Sequence, residues 1–210
     1  MMTTQMLAQS QLVNPFNSSL LIEVTRPNGI FTCSGVAVSQ ETLLTAAHCL
    51  EGEVTNVRVF YQETYDPVQT HLEIQSFKLH PLYDPTHSDY FADVAKITIK
   101  KRFSKLMNLY QIDDHVQLQG ELIRIGFGSR NNKNTRTLVR PGLRRIDIRN
   151  QILELDDLNS KSGDSGGPVF IQNGHSINLV AIHSTLSYGP LGEYSFNPLL
   201  AGYIQWIFEN

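Results

Sequence analysis

The chain of 210 residues is 41% hydrophobic, enough for a substantial core in one large all-β domain or two small ones. With 18% charged residues and a formal net charge of −3 it carries no positive field to attract phosphate backbones, so no nucleic-acid partner is expected. The longest apolar stretches, 146–148 and 199–207, are short or interrupted and fall well under the ~20 residues that span a bilayer, so a soluble protein with no membrane partner is expected.

The opening MMTTQMLAQSQLVN has neither a basic start nor a continuous apolar block and does not read as a secretory signal. Short β-rich runs then recur between turn signals, at 20–25 before the turn Pro27-Asn28-Gly29, then at 36–44, 54–61, 72–79, 94–100, 116–127, 143–148, 169–171 and 177–183. So many strands with so little helix predict an all-β sandwich or barrel. Asp66-Pro67, Asp84-Pro85, GSRNNKNTR at 128–136 and SYGPLGE at 187–193 read as loops, because Gly, Pro and Asn favour turns over strands. A C-terminal helix is expected over 199–208, where Leu200, Tyr203, Ile204 and Ile207 follow i, i+3, i+4, i+7 spacing.

Residues 162–169 read SGDSGGPV. A serine hydroxyl is a weak nucleophile at neutral pH and needs an adjacent base, together with backbone N–H groups free to meet a developing oxyanion. Glycines let the backbone turn so that those groups point inward. Ser165 is therefore the candidate nucleophile, and the N–H groups of Gly163 and Ser165 are the candidate oxyanion donors; taken alone, the segment also reads as a Gly/Ser/Pro surface turn.

A second segment, LLTAAHCL at 43–50, ends an apolar strand with small residues, Ala46 and Ala47, that permit a tight bend and set His48 against the protein. Cys49 follows it directly, and Cys33 lies just before Ser34-Gly35 and an apolar strand. Two cysteines are too few for a disulfide-dense scaffold or a multi-thiolate zinc site, and no metal or cofactor is expected. A Cys33–Cys49 bridge would close a hairpin, fix the base of the histidine loop and contribute about 3 kcal/mol; two buried free thiols are the alternative. Asp93 precedes the alternating run VAKITI and is the carboxylate best placed for burial against His48, whereas Asp84, Asp89, Asp113 and Asp114 lie in more polar surroundings and read as solvated.

CSG at 33–35, TAAHC at 45–49, HPLY at 80–83, DVAKITI at 93–99, GFG at 126–128, GDSGGP at 163–168, GEYS at 192–195 and YIQWI at 203–207 follow one another along the chain. In these motifs and their order the chain resembles the trypsin/chymotrypsin family of serine proteases over nearly its whole length. The order His48, Asp93, Ser165 is itself informative, since the same triad occurs in other orders on unrelated folds. The resemblance implies two antiparallel six-stranded β-barrels and a C-terminal helix, with one barrel over 1–110 carrying His48 and Asp93 and a second over 111–210 carrying Ser165. It implies a monomeric serine endopeptidase acting on protein or peptide through an acyl-enzyme, with His48 as general acid and base, Asp93 orienting it and Ser184 helping to hold Asp93. A non-catalytic binding protein on the same double barrel is the rival reading, and hydrolysis of esters a second one.

No Ile-Val-Gly-Gly activation site stands near the start and no further disulfides are present, so the pattern looks closer to bacterial members than to vertebrate ones. Some secreted bacterial members pair an arginine with the aspartate beside the nucleophile; Arg124 and Asp164 match that arrangement, which would dispense with activation by N-terminal insertion, while an exposed Arg124 is the alternative. By position relative to Ser165, the resemblance puts the floor of the specificity pocket near Asn159 and Ser160 and its walls near His183 to Leu186 and Gly192. Asn159 carries no charge, so Lys or Arg side chains should bind poorly. Ser160 with His183 resembles glutamyl endopeptidases, which bind a substrate carboxylate; a Leu186 projecting into the pocket would instead admit only small side chains, and His183 also reads as a buried core histidine. The expected bridge argues for an oxidising compartment and hence a secreted or otherwise exported protein.

Overall fold

The computed structural model describes residues 15–61, 71–86, 91–100, 112, 119–131, 133–190 and 192–209. In the N-terminal half, β1 (Ser19–Arg26), β2 (Gly29–Ala37), β3 (Thr42–Thr45), β4 (Asn56–Phe60), β5 (Ile74–Leu79) and β6 (Ala95–Ile99) form one antiparallel sheet in the order β4-β1-β2-β3-β6-β5. A bridge between Val59 and Leu72 brings the approach to β5 back against β4 and curls the sheet on itself. Leu20, Ile22 and Val24 alternate along β1 into the core with Leu43, Val57, Val59 and Ile97, as period-two burial requires. The opposite face of β1 is buried too: Leu21 packs on Phe60 of β4 and on Phe127 from the C-terminal half, and the buried Glu23 accepts a hydrogen bond from Arg58 at 2.6 Å.

The C-terminal half contains β7 (Glu121–Gly126), the two-residue pair β8 (Ser129–Arg130) and β9 (Lys133–Asn134), β10 (Thr137–Val139), β11 (Gly142–Asp147), β12 (Ile152–Asp156), β13 (Pro168–Asn173), β14 (Ser176–Ile182), β15 (Thr185–Gly189) and β16 (Gly192–Pro198). Its two four-stranded sheets run β10-β7-β13-β14 and β11-β12-β16-β15, linked by a bridge between Ala181 and Leu199. Between the halves lies a third body of core, in which Val36, Leu44, Ala92 and Val94 meet Ile123, Ile125, Phe170, Leu179, Ile182 and Tyr203. The molecule is thus mostly β, made of curled antiparallel sheets with one short C-terminal helix.

That helix is shorter than its pattern predicts, a 3-10 turn over Leu200–Tyr203 leading into five residues of α1 (Ile204–Phe208). So short a helix is unstable alone, and tertiary contacts hold it. The Lys96 ammonium donates to the carbonyls of Trp206 (2.9 Å) and Glu209 (2.7 Å) and sits over the Trp206 ring, while the Tyr203 hydroxyl accepts the Ala92 N–H.

Several expected elements shift. The run 36–44 is the end of β2, a turn and the start of β3, because the Ser39 hydroxyl accepts the N–H groups of Glu41 and Thr42 and folds the chain back. The expected loops at 128–136 and 187–193 contain strand: the first holds β8 and β9, and the second spans the tip of the β15–β16 hairpin. β12 was not expected at all. The 110/111 boundary, Asp66-Pro67, Asp89, Asp113 and Asp114 lie outside the described residues.

Cys33 and Cys49 are bridged, joining β2 to the turn that carries His48 across a sequence separation of 16. Replacing both cysteines by alanine should remove about 3 kcal/mol by loop entropy. On a chain of this size that is a fall of about 6–12 °C in Tm, measured by calorimetry under non-reducing conditions.

Candidate active site

His48 lies in a 3-10 turn, Ala47–Cys49, directly after β3. Arg26 fixes the turn from outside by donating to the carbonyls of His48 and Cys49, each at 3.1 Å. Asp93, wholly buried just before β6, accepts the His48 backbone N–H on Oδ1 (2.8 Å) and faces Nδ1 with Oδ2 (2.8 Å). Ser184, just past the end of β14, donates its hydroxyl to the same Oδ2. An acidic acceptor at Nδ1 places the ring proton there and leaves the Nε2 lone pair free to take a proton.

Burial opposes the charge on both partners, and in both cases the pairing wins. Desolvation alone would lower the His48 pKa, but the hydrogen bond and charge of Asp93, with help from Glu51, raise it above 6.5. Desolvation alone would raise the Asp93 pKa, but His48 and the Ser184 hydroxyl draw it below 3.8. Asp93 therefore stays ionised at neutral pH and holds the imidazole in one orientation.

Ser165 is half-buried beside them. Its hydroxyl donates to the Ser184 carbonyl at 3.1 Å, and among the described residues no hydrogen bond joins it to His48. The structure thus unites His48, Asp93 and Ser184 directly and brings Ser165 to them through Ser184; a free enzyme often tightens its nucleophile–base bond only with substrate bound. The backbone around Ser165 is tied to the N-terminal half: Ser34 N–H donates to the Ser165 carbonyl (2.7 Å), and the Ser34 hydroxyl donates to Gly163 O (2.7 Å) while accepting Phe127 N–H (2.8 Å). Gly163 has φ +99°, and among the described residues neither its N–H nor that of Ser165 is taken by a protein acceptor. At Gly166, with φ +81°, a Cβ would overlap Thr45 Oγ1 and the Ser34 carbonyl, so the motif needs glycine there because the halves touch.

Asp164 points inward, away from the nucleophile. Its Oδ1 accepts Gly128 N–H (2.6 Å) and its Oδ2 accepts Lys161 N–H (2.9 Å). Arg124, fully buried, brings Nη1 to 3.1 Å from Oδ2, an ion pair not aligned as a hydrogen bond. Its aligned hydrogen bonds go instead to Asp157, through Nε to Oδ2 and Nη2 to Oδ1. A second cation, Arg130, donates to Asp164 Oδ2 at 3.0 Å. Burial would raise the Asp164 pKa, but the charge of Arg124 and the hydrogen bond and charge of Arg130 bring it below 3.8. Arg130, inside the expected loop at 128–136, and Asp157 were not singled out from the sequence; the usable signal was the need of a buried carboxylate for a cation.

At the expected specificity region, Asn159 and Gly192 are exposed, Leu186 is half-buried on β15, and Ser160 and His183 are buried together. His183 Nδ1 faces Asn197 Oδ1 (3.2 Å) and Nε2 faces Ser160 Oγ (2.8 Å). Asn197 Nδ2 is occupied by Leu153 O and Ser195, so Oδ1 accepts from Nδ1 and the Ser160 hydroxyl donates to Nε2. Burial, then the charge of Arg124, pushes the His183 pKa down to about 4, which leaves the ring neutral at pH 7. One cluster of metal-ligating type occurs among the described residues, Cys33, His48 and Cys49, but its two sulfurs are bonded to each other and offer no thiolate.

A curled all-β fold with a histidine–carboxylate pair next to the serine of GDSGGP defines the class of chymotrypsin-like serine proteases. The chain belongs to the trypsin family, whose model, described as Trypsin, matches residues 10–207. Phenoloxidase-activating factor 3 of Holotrichia diomphalia is 24% identical, with 90% of this chain and 67% of that protein covered. CLIP domain-containing serine protease B4 of Anopheles gambiae is 22% identical over 96% of this chain and 69% of its own, and vitamin K-dependent protein C of Rattus norvegicus 25% over 83% and 45%. The scabies mite inactivated protease paralogue has a similar fold, at TM-score 0.73, 16% identity, and 91% and 92% coverage. Insect and mammalian relatives lend no support to the bacterial likeness expected from the motifs.

His183 sets an acid limit on stability. Its folded pKa of about 4 lies below the ordinary 6.5, so between these values only the unfolded chain takes up the proton, and stability falls as pH drops through that window. The loss should reach about 3 kcal/mol near pH 4. Asp93 and Asp164, with lowered values, lose their contribution only below that range. Denaturant titrations of wild type and His183→Gln from pH 7 to pH 4 should show a shallower decline in the variant.

Proposed function

We propose that this chain is an active serine endopeptidase in which Ser165 attacks the scissile carbonyl, His48 carries the proton and Asp93 orients His48. The observation that carries the reading is the fully buried Asp93 carboxylate held by His48 Nδ1, His48 N–H and Ser184 Oγ, which fixes the ring proton on Nδ1 and leaves Nε2 as the basic ring nitrogen. Rotation of the Ser165 side chain away from the Ser184 carbonyl turns its proton toward Nε2. As the Oγ–carbon bond forms, Nε2 takes that proton, and the N–H groups of Gly163 and Ser165 receive the carbonyl oxygen as it gains charge. His48 then gives the proton to the leaving amine, and water hydrolyses the acyl-enzyme by the same steps in reverse. The raised His48 pKa strengthens it as a base, so activity should fall on acidification from somewhat above pH 6.5.

Arg124 and Arg130 support the inward turn of Asp164 from within the chain, so in this reading activity needs no new N-terminal ammonium; that internal arginine is the one feature that favours a bacterial type of arrangement. The floor around Asn159, Ser160 and His183 presents no charge, and the ring nitrogens of His183 are already engaged. A substrate carboxylate would meet a neutral ring whose Nε2 is an acceptor, so the preference at neutral pH is for small or uncharged side chains, with Leu186 narrowing the wall. The substrate is a protein or peptide, the working unit a monomer, and neither nucleic acid nor membrane takes part. The Cys33–Cys49 bridge favours an extracellular or exported location.

One observation favours the rival non-catalytic reading, the Ser165 hydroxyl turned toward Ser184 and not toward His48. Mass-spectrometric mapping of cuts in a diverse peptide library separates the two. Wild type should cut after small or uncharged residues, and Ser165→Ala, His48→Ala and Asp93→Ala should each lose about 10⁴-fold or more without adding in combination. A fluorophosphonate should label Ser165. Full activity in Ser165→Ala, or efficient cleavage after Lys, Arg or Glu at neutral pH, would contradict the proposal.

A further inference from the structure

Arg124 cannot serve Asp164 alone. Its Nε and Nη2 are directed at Asp157, and only Nη1 faces Asp164, out of line for a hydrogen bond. Two buried carboxylates would then share a single buried guanidinium, leaving one negative charge uncompensated in the wall of the oxyanion loop. Arg130 supplies the missing charge, and its fork spans more than the carboxylate. Nη2 donates to Asp164 Oδ2 (3.0 Å) and to the Asn159 carbonyl (2.8 Å), while Nη1 donates to the Gly128 carbonyl (3.1 Å) and approaches Asp164 Oδ1 (3.5 Å). Planar fork geometry of this kind is specific to arginine.

We infer that Arg130 is the positioning residue of the oxyanion loop, the group that locks the segment 157–161 and the β8–β9 hairpin onto Asp164 and so sets the direction of the Gly163 and Ser165 N–H groups. The hairpin is well placed for this role, since Asn134 on β9 donates to the Phe127 carbonyl (2.8 Å) and to Thr32 Oγ1 (3.1 Å), both in contact range of a Cβ added at Gly163. Unlike Arg124, Arg130 is 24% exposed in its side chain and lies within reach of solvent. A hole left by its truncation is therefore open to a small guanidinium ion from solution, which the Arg124 site is not.

The inference rests on the catalytic reading for its kinetic consequence but not for its structural one. In Arg130→Met, hydrogen exchange within 157–166 should accelerate about ten-fold or more while the sheets keep their protection. Against the best library peptide, kcat should fall about 100-fold with little change in KM, because the donors act on the transition state. Guanidinium at millimolar concentration should restore much of both, and Arg130→Lys should keep part of the function because it returns the charge without the fork. Wild-type exchange rates within 157–166 in Arg130→Met would overturn the inference, as would a loss confined to KM. Should Arg130→Met unfold globally, Arg130→Gln is compared in the same way, and unchanged local exchange there overturns it equally. If the wild type cleaves nothing, the catalytic reading fails, and local exchange with guanidinium rescue still decides the role of Arg130.

Discussion

A serine can be presented to a cleft between two free N–H groups only if its neighbours turn the other way, and here the residue that must turn is charged. Asp164 is buried without contact to water, so every segment around it is arranged to satisfy one carboxylate. Gly128 and Lys161 give backbone N–H groups, and Arg124 and Arg130 give charge from β7 and β8. Gly126 and Gly128 lack side chains because a Cβ on either would collide with the Asp164 carboxylate. The GFG motif and the GDSGGP motif, separate in sequence, are therefore two sides of a single contact. Because a buried charge that loses its partner is strongly destabilising, the loop has little freedom to take another shape.

The second constraint is that the site is divided between the two halves of the fold. His48 and Asp93 lie in the segments that flank β3 and β6 of the N-terminal sheet, Ser165 and Ser184 in turns next to β13 and β14 of the C-terminal half. The bond from Ser184 to Asp93 crosses between them, as do those from Ser34 to Gly163 and Ser165 and from the Phe127 N–H to the Ser34 hydroxyl. Sliding one half on the other would break these together and expose the apolar seam of Val36, Leu44, Val94, Ile125 and Phe170. The C-terminal helix belongs to this seam: Tyr203 reaches Ala92, next to Asp93, and Lys96 holds the helix end. Packing at the helix thereby helps fix the carboxylate that holds the His48 ring.

What the sequence made legible were positions where geometry leaves few choices of residue. Small residues before His48, glycines around Ser165 and an aspartate at the start of an alternating strand are each demanded by close backbone approach or burial, and such demands show locally. β12 was missed because ILELD carries Glu154, which reads as solvent-facing but is buried against Arg144 and Arg145. β15 and β16 were partly hidden by Gly189, Pro190 and Gly192, whose turn signal is real but confined to the hairpin tip. Arg130, Asp157 and Asn197 were illegible for another reason: each is functional only through a partner distant in sequence, and no local pattern distinguishes a buried ion-paired arginine from a solvated one.

The charge cluster also constrains the protonation of His183. Asp157 and Asp164 are balanced by Arg124 and Arg130, so the buried set is neutral as it stands. His183 lies against it: Arg124 disfavours a proton on its ring, the two aspartates favour one, and these influences largely oppose each other, leaving burial as the dominant effect. A fifth charge in this region would have no counter-ion of its own, and the ring accordingly stays neutral, donating to Asn197 and accepting from Ser160. Arg124 thus faces both the Asp164 carboxylate and a ring that burial keeps neutral. A proton on His183 would add a charge without a counter-ion beside the ions that hold Asp164, so the state of the ring and the setting of that carboxylate are coupled.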